Sequence, residues 1–160
     1  MIGAYDGLED RFRVFLEDNF SEFQALVEDH GLLGSPIVGF NSVAFDDRLC
    51  AANNIQVQTD YDILRAVWAA AGLGPDYDND THAGYSLDDI LRANKLGQKS
   101  GHGAQAPIDW QQGRRGAVID YCVQDANKEY RVLRKIIDQG FIVNPKEPTT
   151  ILHVDPPEGM

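Results

Sequence analysis

The sequence predicts an α/β domain, a mixed sheet flanked by helices, and three stretches carry that prediction. Residues 2–16 read as two short strands around a turn. Residues 36–40 form an almost wholly apolar run followed at once by a helix start. Near the C-terminal end a long helical periodicity begins at Val118 and is closed by Gly140.

The chain has 160 residues, one domain's worth, with ordinary hydrophobic (43%) and charged (24%) content. No apolar run reaches membrane-spanning length, and Met1 is not followed by a basic and then apolar signal pattern, so a cytoplasmic protein with no membrane partner is expected. Cys50 and Cys122 fall on apolar helix faces and read as reduced thiols, while His30, His82, His102 and His153 have no metal spacing and read as surface residues. The net charge of −11 argues against non-specific attraction to nucleic acid. It leaves room for a nuclease whose carboxylates are neutralised by bound metal.

Taken in order, residues 2–5 and 11–16 form an antiparallel hairpin around the turn chemistry of Asp6 to Asp10. Asn19 or Ser21 caps a helix through about His30, with Phe23, Leu26 and Val27 inward and Gly31 as its stop. Residues 36–40 read as a strand covered on both faces. Ser42 starts a second helix with Phe45, Leu49 and Ala52 on its apolar side, and Asn53-Asn54 supply a left-handed exit. Residues 57–64 lead as a strand into a helix over 63–71, with Asp60 and Asp62 as an N-cap and its neighbour. Residues 72–84 read as loop. Ser86 and Asp89 form a capping-box start for a helix over 87–94. The glycine-rich stretch 96–103 lacks the Gly-Lys-Ser/Thr ending of a phosphate-binding loop. In the long helix Ile119, Cys122, Ala126, Leu133 and Ile137 form the apolar stripe. Residues 1–140 make up the domain and 141–160 a Pro-rich tail, in which 141–143 and 150–154 are extended pieces that add to the sheet or pack on the core.

Two acids stand out. Tyr121 and Asp125 are four apart on the long helix and border its apolar stripe, where they line a cleft or decorate the surface. Asp46 lies in the first turn after a central strand. It is either a helix-dipole acid, with Asp47 equally suited, or a metal ligand at the carboxyl end of a buried strand. Arg114 and Arg115 begin the long helix against its dipole, so they either meet phosphate or pair with acids such as Asp109 and Asp120. Pairing is the simpler reading.

Together, residues 38–46 (Val-Gly-Phe-Asn-Ser-Val-Ala-Phe-Asp) and 121–125 (Tyr-Cys-Val-Gln-Asp) resemble the second and third motifs of the ribonuclease H-like 3′–5′ exonucleases, in the tyrosine-containing (DEDDy) subgroup. Residues 85–88 and 106–113, with Trp110, are similar to stretches of the phage-type and polymerase B-like members. The likeness spans roughly residues 5–137. It implies a two-ion Mg²⁺ or Mn²⁺ phosphodiester hydrolysis in which Asp46 and Asp125 are metal ligands and Tyr121 orients or activates the attacking water. Asn41 and Phe45 would shape the site, Phe45 stacking on the terminal base, with Arg114 and Arg115 as further substrate contacts. The implied partners are 3′ ends of single-stranded DNA or RNA, and replication proteins. Position 120 is Asp, which excludes the histidine-containing sister subgroup.

The family's first motif, Asp-x-Glu on the first and central strand, is missing. Asp6, Glu9 and Asp10 have the wrong spacing and lie on a turn. Only two of the four metal-holding carboxylates are therefore in hand, and the sheet is expected to lack its middle strand. The reading is of an N-terminally shortened exonuclease. The alternative is a catalytically silent ribonuclease H-like module that binds nucleic acid or a replication partner.

Overall fold

The structure, a computed structural model, describes residues 1–97 and 105–159. The segment 98–104, which holds most of the glycine-rich stretch and His102, lies outside the described residues. The chain is a mixed α/β protein. Its strands pair, among the described residues, as three separate two-stranded sheets.

Strands β1 (Ile2–Asp6) and β2 (Arg11–Phe15) form the antiparallel hairpin, with Ile2 opposite Phe15 and Asp6 opposite Arg11. The turn is set by Asp6, whose Oδ1 accepts the Leu8 and Glu9 amides at 3.1 and 3.2 Å. A 3₁₀ turn (Glu17–Asn19) leads into α1 (Phe20–Leu32). Asn19 holds the entry by accepting the Leu16 amide on its side chain. The helix runs through Gly31 and stops later, because the left-handed residue that turns the chain is Gly34, with φ of 70°.

Strands β3 (Val38–Gly39) and β4 (Tyr61–Asp62) are parallel and two residues long, shorter than the runs 36–40 and 57–64 read from sequence. Between them lies α2 (Asp46–Ala52), which leaves through Asn54 at φ 58°. The apolar side assigned to this helix is corrected. Phe45 and Leu49 are 58% and 49% exposed, Ala52 is exposed, and Cys50 is the buried member. A two-turn helix presents one narrow face to the core. Here that face carries Cys50, one turn beyond Asp46.

Helix α3 (Ile63–Ala70) follows β4 directly, and a short α4 (Asn79–His82) sits inside the stretch read as loop. The surface assignment of His82 is thereby corrected. Its Nδ1 accepts the Asp78 amide, its Nε2 donates to the Gly74 carbonyl at 2.9 Å, and Trp68 packs edge-on to the ring. His30 is also largely covered, with Nε2 at 3.2 Å from Asp6 Oδ1. Helix α5 (Leu87–Ala93) starts with the capping box: Ser86 Oγ accepts the Asp89 amide, and the Asp89 carboxylate accepts the Ser86 amide.

After α6 (Ala106–Gln111), helix α7 (Arg115–Gln139) crosses the molecule and ends at left-handed Gly140. Its stripe is corrected in part. Leu133 is buried, but Val118, Val132 and Ile136 share that role, while Ile119, Cys122, Ala126 and Ile137 are half-buried. The helix is wedged between neighbours: the β1–β2 hairpin, α5, α6 and β5 all pack on it. Strands β5 (Phe141–Val143) and β6 (Ile151–His153) pair antiparallel, and Ile142, Leu152 and Val154 enter the core.

Two apolar clusters result. The larger joins α3, α5, α7, β5 and β6; the smaller gathers Phe15, Phe23, Cys50 and Ile55. Side chains of both line one large cleft. Among the described residues no helix is long and apolar enough to cross a membrane.

Candidate active site

The cleft has a volume of about 1490 Å³, and its walls come from β1, β3, α1, α2, α3 and α7. This exceeds the ~300–1,000 Å³ usual for small-molecule pockets. Asn41, Phe45 and Asp46 line it from one side, and Tyr121 and Asp125 from α7. Residues about eighty positions apart in sequence thus face one space.

Asp62 is what fixes the first side. Its Oδ1 accepts the Leu64 amide at 3.0 Å, as N-cap of α3, and also the Asn41 amide at 2.9 Å. Its Oδ2 accepts the Val43 amide at 3.2 Å. One buried carboxylate therefore ties the start of α3 to the turn 41–45, in which Asn41 has φ of 60°. The Phe45 amide donates back to the Asn41 carbonyl, and Asp46 begins α2 in a fixed position.

Asp46 and Asp47 have different roles. Asp47 is committed: its carboxylate accepts the Thr59 hydroxyl at 2.8 Å and the Thr59 amide at 3.1 Å. Asp46 is exposed by surface area, yet desolvation pushes its carboxyl up to about 6, with added repulsion from Asp47 and Asp62. Asp46 lines the concave cleft, where neighbouring atoms crowd a carboxyl that water still reaches.

On α7, Asp125 lies beside Lys128, with Nζ at 3.6 Å from Oδ1, and this lysine is nearly fully buried. Sequence reading missed Lys128. A lysine three residues after a helix acid is ordinary on a surface, and only the tertiary packing around α7 buries it. Cys122 links the two sides. Burial raises its thiol pKa first; the N-terminal amino group opposes this, and the carboxylates of Asp125, Glu129 and Asp46 add to it. The thiol thus feels acids from both α2 and α7. Glu129, a further cleft-lining acid, also went unread from sequence.

Arg114 and Arg115 do not line the cleft. Arg114 pairs with Asp109, and the Arg115 guanidinium lies 5.0 Å from the Trp110 ring centroid. The pairing alternative is therefore what the structure displays for Arg114, and Arg115 stacks on α6.

The donor set can be weighed against a pair of divalent ions. Asp46 and Asp125 offer hard oxygens, right in kind for Mg²⁺ or Mn²⁺. They are too few. Among the described residues no group of three or more His, Cys, Asp or Glu side chains is arranged to hold a metal. Asp62 and Asp47 are spent on backbone and threonine donors, and Lys128 already places a positive charge by Asp125. These residues do not complete a two-ion site. Comparison with protein-family models, curated proteins and solved structures found no match.

Proposed function

We propose that this chain is a ribonuclease H-like domain of the 3′–5′ exonuclease type, whose cleft takes the 3′ end of a single DNA or RNA strand. The observation that carries the reading is the meeting of Asp46, Tyr121 and Asp125 on the walls of one cleft from α2 and α7. Exposed Phe45 at the same wall gives a ring on which a terminal base can stack. Tyr121, four residues before Asp125, holds a water or a phosphate oxygen by its hydroxyl. Asp46, with its raised pKa, takes or returns a proton near neutral pH.

The shortage of metal donors favours a second reading, a module that binds strand ends without cutting them. A digestion assay separates the two. A 3′-labelled single strand is incubated with the chain in Mg²⁺ or Mn²⁺, with Asp125→Asn as control. Stepwise loss of the label, abolished in the variant, supports the exonuclease. Binding of the labelled strand with no digestion supports the silent module, and neither binding nor digestion ends both.

A further inference from the structure

Tyr5 of β1 and Tyr130 of α7 lie far apart in the chain, and their rings meet. The centroids are 4.1 Å apart and the planes are tilted by 34°. Phe12 holds the contact from the side. It faces Tyr5 across the β1–β2 ladder with centroids 5.1 Å apart, and it meets the Tyr130 ring edge-on at 6.4 Å. Gly3, on the same face of β1 as Tyr5, brings the strand close to α7: a Cβ there would stand 2.6 Å from Cys122 Sγ. The Tyr5 hydroxyl donates to Asp10 Oδ1 and is also hydrogen-bonded to the Tyr130 side chain. Stacking alone leaves the relative direction of two rings open. Linked hydroxyls fix it, because they bring the two hydroxyl-bearing ends together. Those ends hold the Cε atoms at which tyrosyl radicals couple.

We infer that Tyr5 and Tyr130 form an oxidative modification site, a tyrosine pair set to couple into dityrosine and so join β1 covalently to α7. The co-reactant is a one-electron oxidant of the peroxide-driven class, used twice. Each ring gives up one electron and its phenolic proton, and the Tyr5 proton passes to Asp10. The two radicals join through a new Cε–Cε bond. The ring hydrogens on those carbons then move to the phenol oxygens, so the product has lost two electrons and two protons in all. The Asp10 hydrogen bond, followed by that of Tyr130, raises the Tyr5 pKa, so this phenol keeps its proton until the electron leaves. Both residues are half-buried on the wall of the cleft, within reach of a small oxidant. Contact between the rings makes the coupling intramolecular. Tyr77, 62% exposed, is the competitor, and its coupling would join two molecules. The inference goes beyond the nuclease reading and needs neither metal nor nucleic acid.

The test illuminates the whole chain with ruthenium tris-bipyridine and persulfate, which takes the two electrons and becomes two sulfates. The expected product runs as a monomer on a denaturing gel, shows dityrosine fluorescence and is two hydrogens lighter by mass. Tryptic digestion yields peptide 1–11 joined to peptide 129–131. Tyr5→Phe and Tyr130→Phe each keep a ring and lose the phenol, and each lowers dityrosine in the monomer about tenfold, whereas Tyr77→Phe leaves it unchanged. Oxidation in denaturing urea, where the rings no longer sit together, lowers the joined peptide about tenfold as well. Four results each overturn the proposal: no dityrosine in the monomer, an unchanged yield in Tyr5→Phe, an equal yield of the joined peptide in urea, or covalent dimers through Tyr77 as the main product. Because no divalent cation or strand end is present, the outcome is read separately from the digestion assay.

Discussion

Replacing Asp46 by Asn tests whether the cleft wall desolvates that carboxylate. The free group titrates at 3.8, and in the folded chain it is pushed up to about 6. At about 1.36 kcal/mol per unit the raw difference is near 3 kcal/mol. Asp46 is exposed by surface area, so screening by water reduces this to about 1 kcal/mol. The sign follows from the raised pKa. The stabilising contribution of the protonated group is complete below about pH 4 and is lost as pH rises through about 6. Asn mimics the protonated form at every pH. Asp46→Asn is therefore equal to the parent near pH 4 and more stable by about 1 kcal/mol at pH 7–8, as read by urea unfolding. Carbon-13 titration of the Asp46 carboxyl gives the pKa directly. A value near 4, with no stability gain in the variant at pH 8, would refute the enclosed geometry of α2.

Asp62→Ala removes an N-cap and strips two further amides, of Asn41 and Val43, of their acceptor. It costs about 2–4 kcal/mol in urea unfolding, and loss below 1 kcal/mol contradicts the tie between the turn and α3. Gly3→Ala places a Cβ 2.6 Å from Cys122 Sγ and 3.1 Å from the Cys122 carbonyl oxygen. It lowers stability by about 1–3 kcal/mol, and Cys122→Ala in the same chain restores part of that loss. Additive losses in the double variant show that β1 does not pack on α7 there. The buried Asp6 has a lowered pKa: burial works against this, but the Glu9 amide, His30, the Leu8 amide and Arg13 outweigh it. Its contribution is present above about pH 4 and is lost as pH falls through the folded pKa. Asp6→Asn thus destabilises at pH 7 and flattens the acid limb of the stability curve, which an unchanged limb would contradict.

Local chemistry was legible in the sequence, and neighbour-dependent chemistry was not. The hairpin, the Ser86–Asp89 capping box, the Asn54 exit and the Gly140 stop each depend on a few adjacent residues, and each stands where it was read. The same holds for Asp46 in the first turn of α2. Strand lengths were overestimated because a strand extends only as far as its partner does, and β3 and β4 share just two residues. The inward face of α2 was misread because Phe45 and Leu49 are apolar, whereas Cys50 has the buried position. His82 and Lys128 are polar residues that only tertiary packing covers, so no periodicity marks them. Asp60 and Asp62 were read as an N-cap and its neighbour; Asp62 is the cap, and its second duty to Asn41 and Val43 is a contact across some twenty residues.

The most direct measurement is paramagnetic broadening by Mn²⁺ in the nitrogen-15 spectrum. Under the proposed function, the carboxylates of Asp46 and Asp125, which line the same cleft, attract a divalent ion jointly. Amides around Asp46 and around Asp125 should lose intensity together at the same Mn²⁺ concentration, and Asp125→Asn should weaken both sets. Broadening that touches one helix without the other, or that survives the substitution at both, contradicts a shared cleft.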